Sequence, residues 1–347
     1  MPEIRSSGTC LNGSSVPDGY LHDYFLPIAR WLEDPAISEI AINPDGRVWI
    51  EREGMEFLEC VDPPEPVEAD RIARAVAGEA DLTISEKKPI LSTQAEWMDM
   101  PLRVQAVLPP AIERGCAVSI RRYRQDSRTL EDFPFLHGRS VDAGERHADH
   151  IAQIQRAIDA GDPKAALQAA VRLKLNVLIS GGTSTAKTTL ARAMIACMAP
   201  AERLITIEDA RELHPKHENT VELIAERNDE SPRSATKLLQ SALRMRPDRI
   251  VVGELRGSEA WTFLEAINTG HGGSISTIHA EHPEMAIERL AMMVTGMGIG
   301  MPHAAILAYV RASIGLIVQL ERSGGRRGIA SIVVPRKDLS HGTQQMA

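Results

Sequence analysis

The segment that most restricts what this chain can become is LNVLISGGTSTAKTTLARAMIACM, where a short apolar run breaks into small residues and then resumes at helical spacing. The apolar run reads as a buried strand, and the residues after Lys187 read as a helix. Between them Gly181, Gly182, Thr183, Ser184, Thr185, Ala186, Lys187, Thr188 and Thr189 follow the GxxxxGKS/T arrangement, with Ala186 in place of the second glycine. Small residues let backbone N–H groups converge on phosphate oxygens, and the helix that follows adds its positive N-terminal end. Lys187 is expected to reach the β and γ phosphates of a nucleoside triphosphate such as ATP, and Thr188 to ligate Mg2+. A Cβ at position 186 narrows the cradle or, where the backbone needs a positive φ, costs roughly 1 kcal/mol or more.

Further apolar runs, RLITIED, RIVVGE, GSISTIH and IGLIVQL, alternate with helical stretches from Ile151 onward. That alternation predicts an α/β fold: a mostly parallel sheet with helices on both faces. Ligands of such sheets bind at the C-terminal strand edge, so the polar residues closing each run are the candidates. Glu208, or Glu212 beyond it, could orient a water for attack on the γ phosphate or hold Mg2+ through water. Glu254, closing RMRPDRIVVGE, fits a place near Mg2+ and the attacking water. Gly253 stands where an aspartate is usual. Asp248 lies at the wrong end of its strand to substitute for it, and is expected to cap that strand or pair with Arg249. His271 and His279 frame GGSISTI, and His279, at the strand end, suits a sensor of the γ phosphate.

The first part of the chain has a different texture. Leu21 to Leu32 has helical spacing and closes on Asp34-Pro35; ISEIAINPDGRVWIEREG reads as a hairpin; Asp70 to Glu79 reads as a helix; LRVQAVLPP and GCAVSIRRY read as two more strands. The expected organisation is a polar flexible arm over 1–20, a smaller α+β domain over 21–125, a charged, aperiodic linker over 126–150 and the α/β domain over 151–347. A chain of 347 residues with 43% hydrophobic content can give each domain its own core. The arm lacks the apolar centre of a signal peptide, and Pro302 to Leu320, with Arg311 inside it, reads as a buried helix leading into a strand rather than a membrane span. Cys10, Cys60, Cys116 and Cys197 form no CxxC pair, which suggests neither a zinc site nor a disulfide framework and fits a reducing cytoplasm. The net charge of -8 argues against a broad basic surface, so direct nucleic-acid binding is not expected.

With the phosphate loop, RLITIEDAREL, RMRPDRIVVGELRG and GHGGSISTIH in that order, the chain resembles the secretion ATPase superfamily, most closely the traffic ATPases of type IV secretion and conjugation systems. The resemblance extends more weakly into DPAISEIAINPDGRVWIE and SIRRY and covers about Leu21 to Leu320. It implies a P-loop, RecA-like catalytic domain in a homohexameric ring, with ATP at the interdomain interface. It also implies arginines of the first domain reaching the phosphates, for which Arg103 and Arg121 or Arg122 are the matching positions. Such a motor drives pilus assembly or moves protein or DNA across the inner membrane. It would dock peripherally on the cytoplasmic side, with secretion-channel components and companion ATPases as partners. Because the family has glycine where Ala186 stands, a nucleotide-binding ring subunit with weak turnover is a competing expectation. A DNA-acting RecA-like ATPase is the third.

Overall fold

The computed structural model describes residues 20–123, 129–136 and 142–335, so the arm expected over the first residues lies outside the described part. The first domain opens with α1 (Tyr20–Phe25) and α2 (Ala29–Glu33), separated by a 3-10 turn at Leu26–Ile28. The sequence suggested one helix here. Pro27 has no N–H to donate, and the chain tightens around it. Then follow β1 (Ile37–Ile42), β2 (Val48–Arg52), β3 (Glu59–Val61), α3 (Ala69–Glu79), β4 (Ile90–Trp97), β5 (Met100–Val107) and β6 (Ala117–Arg122). They form one antiparallel sheet in the order β3-β2-β1-β6-β5-β4. Its two edge strands, β3 and β4, are the ones sequence reading passed over; both carry several exposed or half-exposed residues and little apolar alternation.

Period-two alternation gives this sheet two unlike faces. Ile40, Ile42, Ile50, Leu102, Val104, Val118 and Ile120 pack with α1, α2 and α3 into one core. The opposite face carries Glu39, Asn43, Gln105 and Ser119, all buried. It is covered by the second domain: Asn43 Nδ2 donates to Asn219 Oδ1 at 3.1 Å, and Gln105 Nε2 to Ser241 Oγ at 2.8 Å.

The second domain comprises α4 (Ala143–Asp159), α5 (Pro163–Arg172), β7 (Val177–Gly181), α6 (Lys187–Ile195), β8 (Leu204–Glu208), β9 (Thr220–Ile224), α7 (Ala235–Ala242), β10 (Arg249–Val252), α8 (Glu259–Asn268), β11 (Ile275–Ile278), α9 (Pro283–Gly296), α10 (His303–Ser313), β12 (Leu316–Ser323) and β13 (Arg326–Val333). Helix α4 starts inside the stretch that composition reads as linker, with the Asp142 carboxylate accepting from the Gly144 N–H. The sheet runs β13-β12-β7-β11-β10-β8-β9, parallel except for β13 against β12. One core lies between the sheet and α7, α8, α9 and α10; another lies on its other face with α5 and α6. The stretch from Pro302 is therefore helix α10 leading into strand β12, and among the described residues no helix is long and apolar enough to cross a membrane.

Candidate active site

Strand β7 reaches the N-terminus of α6 through the phosphate loop, and close contacts dictate its residues. A Cβ on Gly181 would sit 2.5 Å from Thr185 Oγ1 and 2.7 Å from the Leu320 carbonyl oxygen, so no side chain fits there. The loop turns left-handed at Ser184, φ 59°, and again at Ala186, φ 75°, immediately before the helix. The strain foreseen for a non-glycine residue at 186 is thus present in the backbone. The Thr185 hydroxyl closes the turn on the Gly182 carbonyl at 3.0 Å.

Lys187 is buried, and its Nζ donates to the carbonyl oxygens of Gly181 and Gly182, each at 2.9 Å. It also lies 3.3 Å from His279 Nδ1. An ammonium can only donate, so Nδ1 accepts and the imidazole proton sits on Nε2, which faces Glu254 Oε1 at 3.2 Å. Burial lowers the pKa of Lys187, and burial together with the Lys187 charge lowers that of His279 against the pull of Glu254, which favours the neutral imidazole this arrangement requires. The other oxygen of Glu254 accepts from Arg256 Nη2 at 2.5 Å. Arg256 Nη1 donates in turn to Asp209 Oδ2 at 2.8 Å, and Asp209 also pairs with Arg227.

Glu208 ends β8 beside this chain of charges. One of its oxygens, Oε1, accepts backbone N–H bonds from Glu212 at 3.2 Å and Leu213 at 3.1 Å, while burial pushes its pKa up to about 7. Gly253 has a steric reason: a Cβ there would lie 3.2 Å from Glu208 Cγ, so an aspartate at this position would crowd the carboxylate. Asp248, expected to cap its strand or pair with Arg249, instead pairs with Arg246 and accepts from the Arg203 N–H at 2.7 Å. Arg249 forms a buried bidentate pair with Glu202 at 2.8 and 3.0 Å.

Thr183 to Thr189, Glu208, Glu212, Glu254 and His279 all line one cavity of about 390 Å³, together with Asp209, Arg227, Arg256 and Arg327. Asp209 and Arg256 lie within the runs RLITIEDAREL and RMRPDRIVVGELRG but were not singled out, whereas Arg227 and Arg327 stand outside all four motifs and only the fold brings them there. The cavity's volume is that of a small-molecule site. The Thr188 hydroxyl, free of hydrogen-bond partners among the described residues, and Glu254, which lines the same cavity, suit a hard cation with oxygen ligands.

The arginine candidates lie elsewhere. Among the described residues of one chain, none from the first domain lines the phosphate cavity. Arg103 and Arg121 line a separate cavity of about 590 Å³ with Lys174, Arg246, Asp248 and His271, residues that flank the N-terminal ends of β7, β10 and β11, at the opposite edge of the sheet from the loop. Arg122 donates to the Asp34 carbonyl at 2.5 Å. The implied interdomain nucleotide site is therefore not formed inside a single chain.

Comparison with known proteins agrees with this architecture. The family described as Type II/IV secretion system protein matches residues 141–331. The Type IV secretion system protein VirB11 of Brucella suis is 35% identical over 306 residues, covering 85% of this chain and 83% of that protein. The protein VirB11 of Agrobacterium fabrum is 32% identical over 318 residues, covering 88% and 91%. The crystal structure of the VirB11 ATPase from the Brucella suis type IV secretion system, in complex with sulphate, matches with a TM-score of 0.81 at 32% identity, over 91% of this chain and 95% of that one. A matching family over the catalytic half, relatives over most of both lengths and a shared fold lead to one assignment: the chain belongs to the type II/IV secretion system protein family, as an ATPase of its type IV secretion branch.

Proposed function

We propose that this chain hydrolyses ATP as the motor subunit of a homohexameric ring in a type IV secretion system, with Lys187, Glu208, Glu254 and His279 as its working residues. The observation that carries this reading is the convergence of four strand ends, those of β7, β8, β10 and β11, on one phosphate loop. The loop N–H groups and Lys187 would bind the phosphates. In the reaction a water attacks the γ phosphorus, the bond to the ADP oxygen breaks, and the water's proton passes to a carboxylate, Glu254 or Glu208. His279, already between Lys187 and Glu254, would shift with the arrival of the γ phosphate and so report it. Mg2+, held by Thr188 and Glu254, would neutralise charge on the β and γ phosphates. For Glu254 to take that part it must release Arg256, which keeps Asp209 as its other partner.

The position of the arginines supports the ring. Arg103 and Arg121 face away from their own loop, so a contact with phosphates would be made to the loop of a neighbouring copy. Docking on the cytoplasmic face of the inner membrane, against channel components and companion ATPases, belongs to the same proposal. Steady-state ATPase assays test the catalytic part: Lys187→Ala should lose at least about a hundredfold in rate, as expected when a principal electrostatic stabiliser is removed. Equal, substantial rates in the variant and the wild type would overturn it. A second reading, a ring subunit with weak turnover, is favoured by one observation, the positive φ at Ala186.

A further inference from the structure

Strand β12 leaves the sheet beside the phosphate loop, and its hairpin with β13 carries a cation that none of the four sequence motifs contains. Leu320 pairs with Gly181 on one side and with Ile329 on the other, and two residues beyond it Arg322 pairs with Arg327. Two residues of strand span about 6.5 Å, so Arg327 stands roughly that far along the strand direction beyond the first glycine of the loop, and two strands to its side. Its side chain lines the cavity that holds Lys187 and Thr188.

The other cations of this cavity are committed: Lys187 to two carbonyls and His279, Arg256 to Glu254 and Asp209, Arg227 to Asp209. The Arg327 side chain makes no hydrogen bond or ion pair among the described residues. It also sits directly across the hairpin from Arg322, a like-charge pairing that disfavours the strand register unless an anion lies nearby. Strand order then sets which part of an anion it meets. His279 and Glu254 follow the ends of β11 and β10, and Glu208 ends β8, all to one side of β7; β12 and β13 are on the other.

We infer that Arg327 is a nucleotide-binding residue that engages the α- and β-phosphate portion common to ATP and ADP, from the flank opposite the hydrolytic groups. The inference rests on the proposed nucleotide site and adds to it a contact made equally before and after hydrolysis. Such uniform binding changes affinity and leaves the chemical barrier largely alone.

The test is titration of a fluorescent ADP and its ATP counterpart into the full chain, its Arg327→Gln and Arg327→Lys variants and Lys187→Ala, paired with steady-state kinetics. Arg327→Gln should bind both nucleotides roughly tenfold more weakly, as for loss of one charge-assisted bond. KM should rise by a similar factor while kcat falls far less, and Arg327→Lys should recover part of the affinity. The unliganded Arg327→Gln chain should be at least as stable as wild type, since the opposed charges at Arg322 are relieved. Unchanged affinities, a loss confined to ATP, or a fall in kcat at constant KM would each overturn the inference. Nucleotide binding by wild type that Lys187→Ala weakens and Arg327→Gln does not would overturn this contact alone; no binding by wild type would overturn the nucleotide site with it.

Discussion

Ala186 holds the one position in the phosphate loop where the sequence announces a cost and the backbone incurs it. Its spacing alone marked the place, because the second glycine of GxxxxGKS/T is where the chain turns into the helix. That Ser184 shares the left-handed conformation was not legible, since its place in the motif is one that tolerates any residue. Arg227 and Arg327 were not legible as site residues either, because only the fold brings them to the loop; Asp209 and Arg256 stand beside Glu208 and Glu254 in the motifs, but their pairing with each other depends on which strands lie side by side. The positive φ exists before any nucleotide arrives, so its cost falls on folding rather than on binding. Ala186→Gly relieves roughly 1 kcal/mol of left-handed strain and returns about 0.4–1 kcal/mol through the freer unfolded chain. Denaturant unfolding should therefore show a stability change below about 1 kcal/mol, and turnover should stay within a few-fold of wild type. A large gain in turnover would instead favour the weak-turnover reading, with the Cβ obstructing the cradle.

Strand β8 shows how one element serves both edges of the sheet. Its apolar interior, Leu204, Ile205 and Ile207, was plain in the sequence, and so was the acidic end. What precedes it was not. Arg203 is fully buried, with Nε donating to the Met245 carbonyl at 2.9 Å and Nη1 to Asn43 Oδ1 at 2.7 Å and Asn219 Oδ1 at 2.5 Å. A lone arginine before a strand carries no sign that two asparagines, one from each domain, will meet it. The neighbouring β9 was also missed, because TVELI is short and only partly buried. At the far end of β8, Glu208 sets a pH dependence. An unfolded glutamate ionises near 4.5, but burial holds the folded one protonated up to about 7. Between those values the folded chain binds more protons than the unfolded one, so stability falls as pH rises, and the loss is complete above about pH 7. Glu39, raised to about 7 by its own burial, adds a slope of the same sign. Unfolding of wild type and Glu208→Gln in urea at pH 5 and pH 8 should show a smaller loss in the variant, with a residual slope left by Glu39; parallel losses would contradict the assignment.

At the scale of the whole molecule, the two-layer plan was readable because strands and helices alternate in the second part and hairpins dominate the first. The orientation of the two domains was not, because it is set by the polar face of the first sheet. Glu39, Asn43, Gln105 and Ser119 look like solvent-facing positions in sequence, yet the second domain covers them, and Glu51 reaches across to Arg246 at 2.8 Å. This packing leaves Arg103 and Arg121 at the sheet edge opposite the phosphate loop. From there neither reaches the loop of its own chain, so under the proposed function a contribution from these two arginines would come from a neighbouring copy, through a heterologous contact of the kind that closes into a ring. Mixing two inactive variants tests this. In Arg121→Ala the loop is intact and the arginine missing; in Lys187→Ala the arginine is intact and the loop disabled. Random mixing at equal amounts should place an intact loop against an intact arginine at about one contact in four, restoring ATPase activity that neither variant has alone. If Arg121 acts only within its own chain, every mixed contact stays defective and the activity of the mixture equals the mean of the two pure samples. If Arg121→Ala alone retains wild-type turnover, Arg121 has no part in the reaction, and any arginine contribution falls to those already lining the cavity of the same chain, Arg227, Arg256 and Arg327.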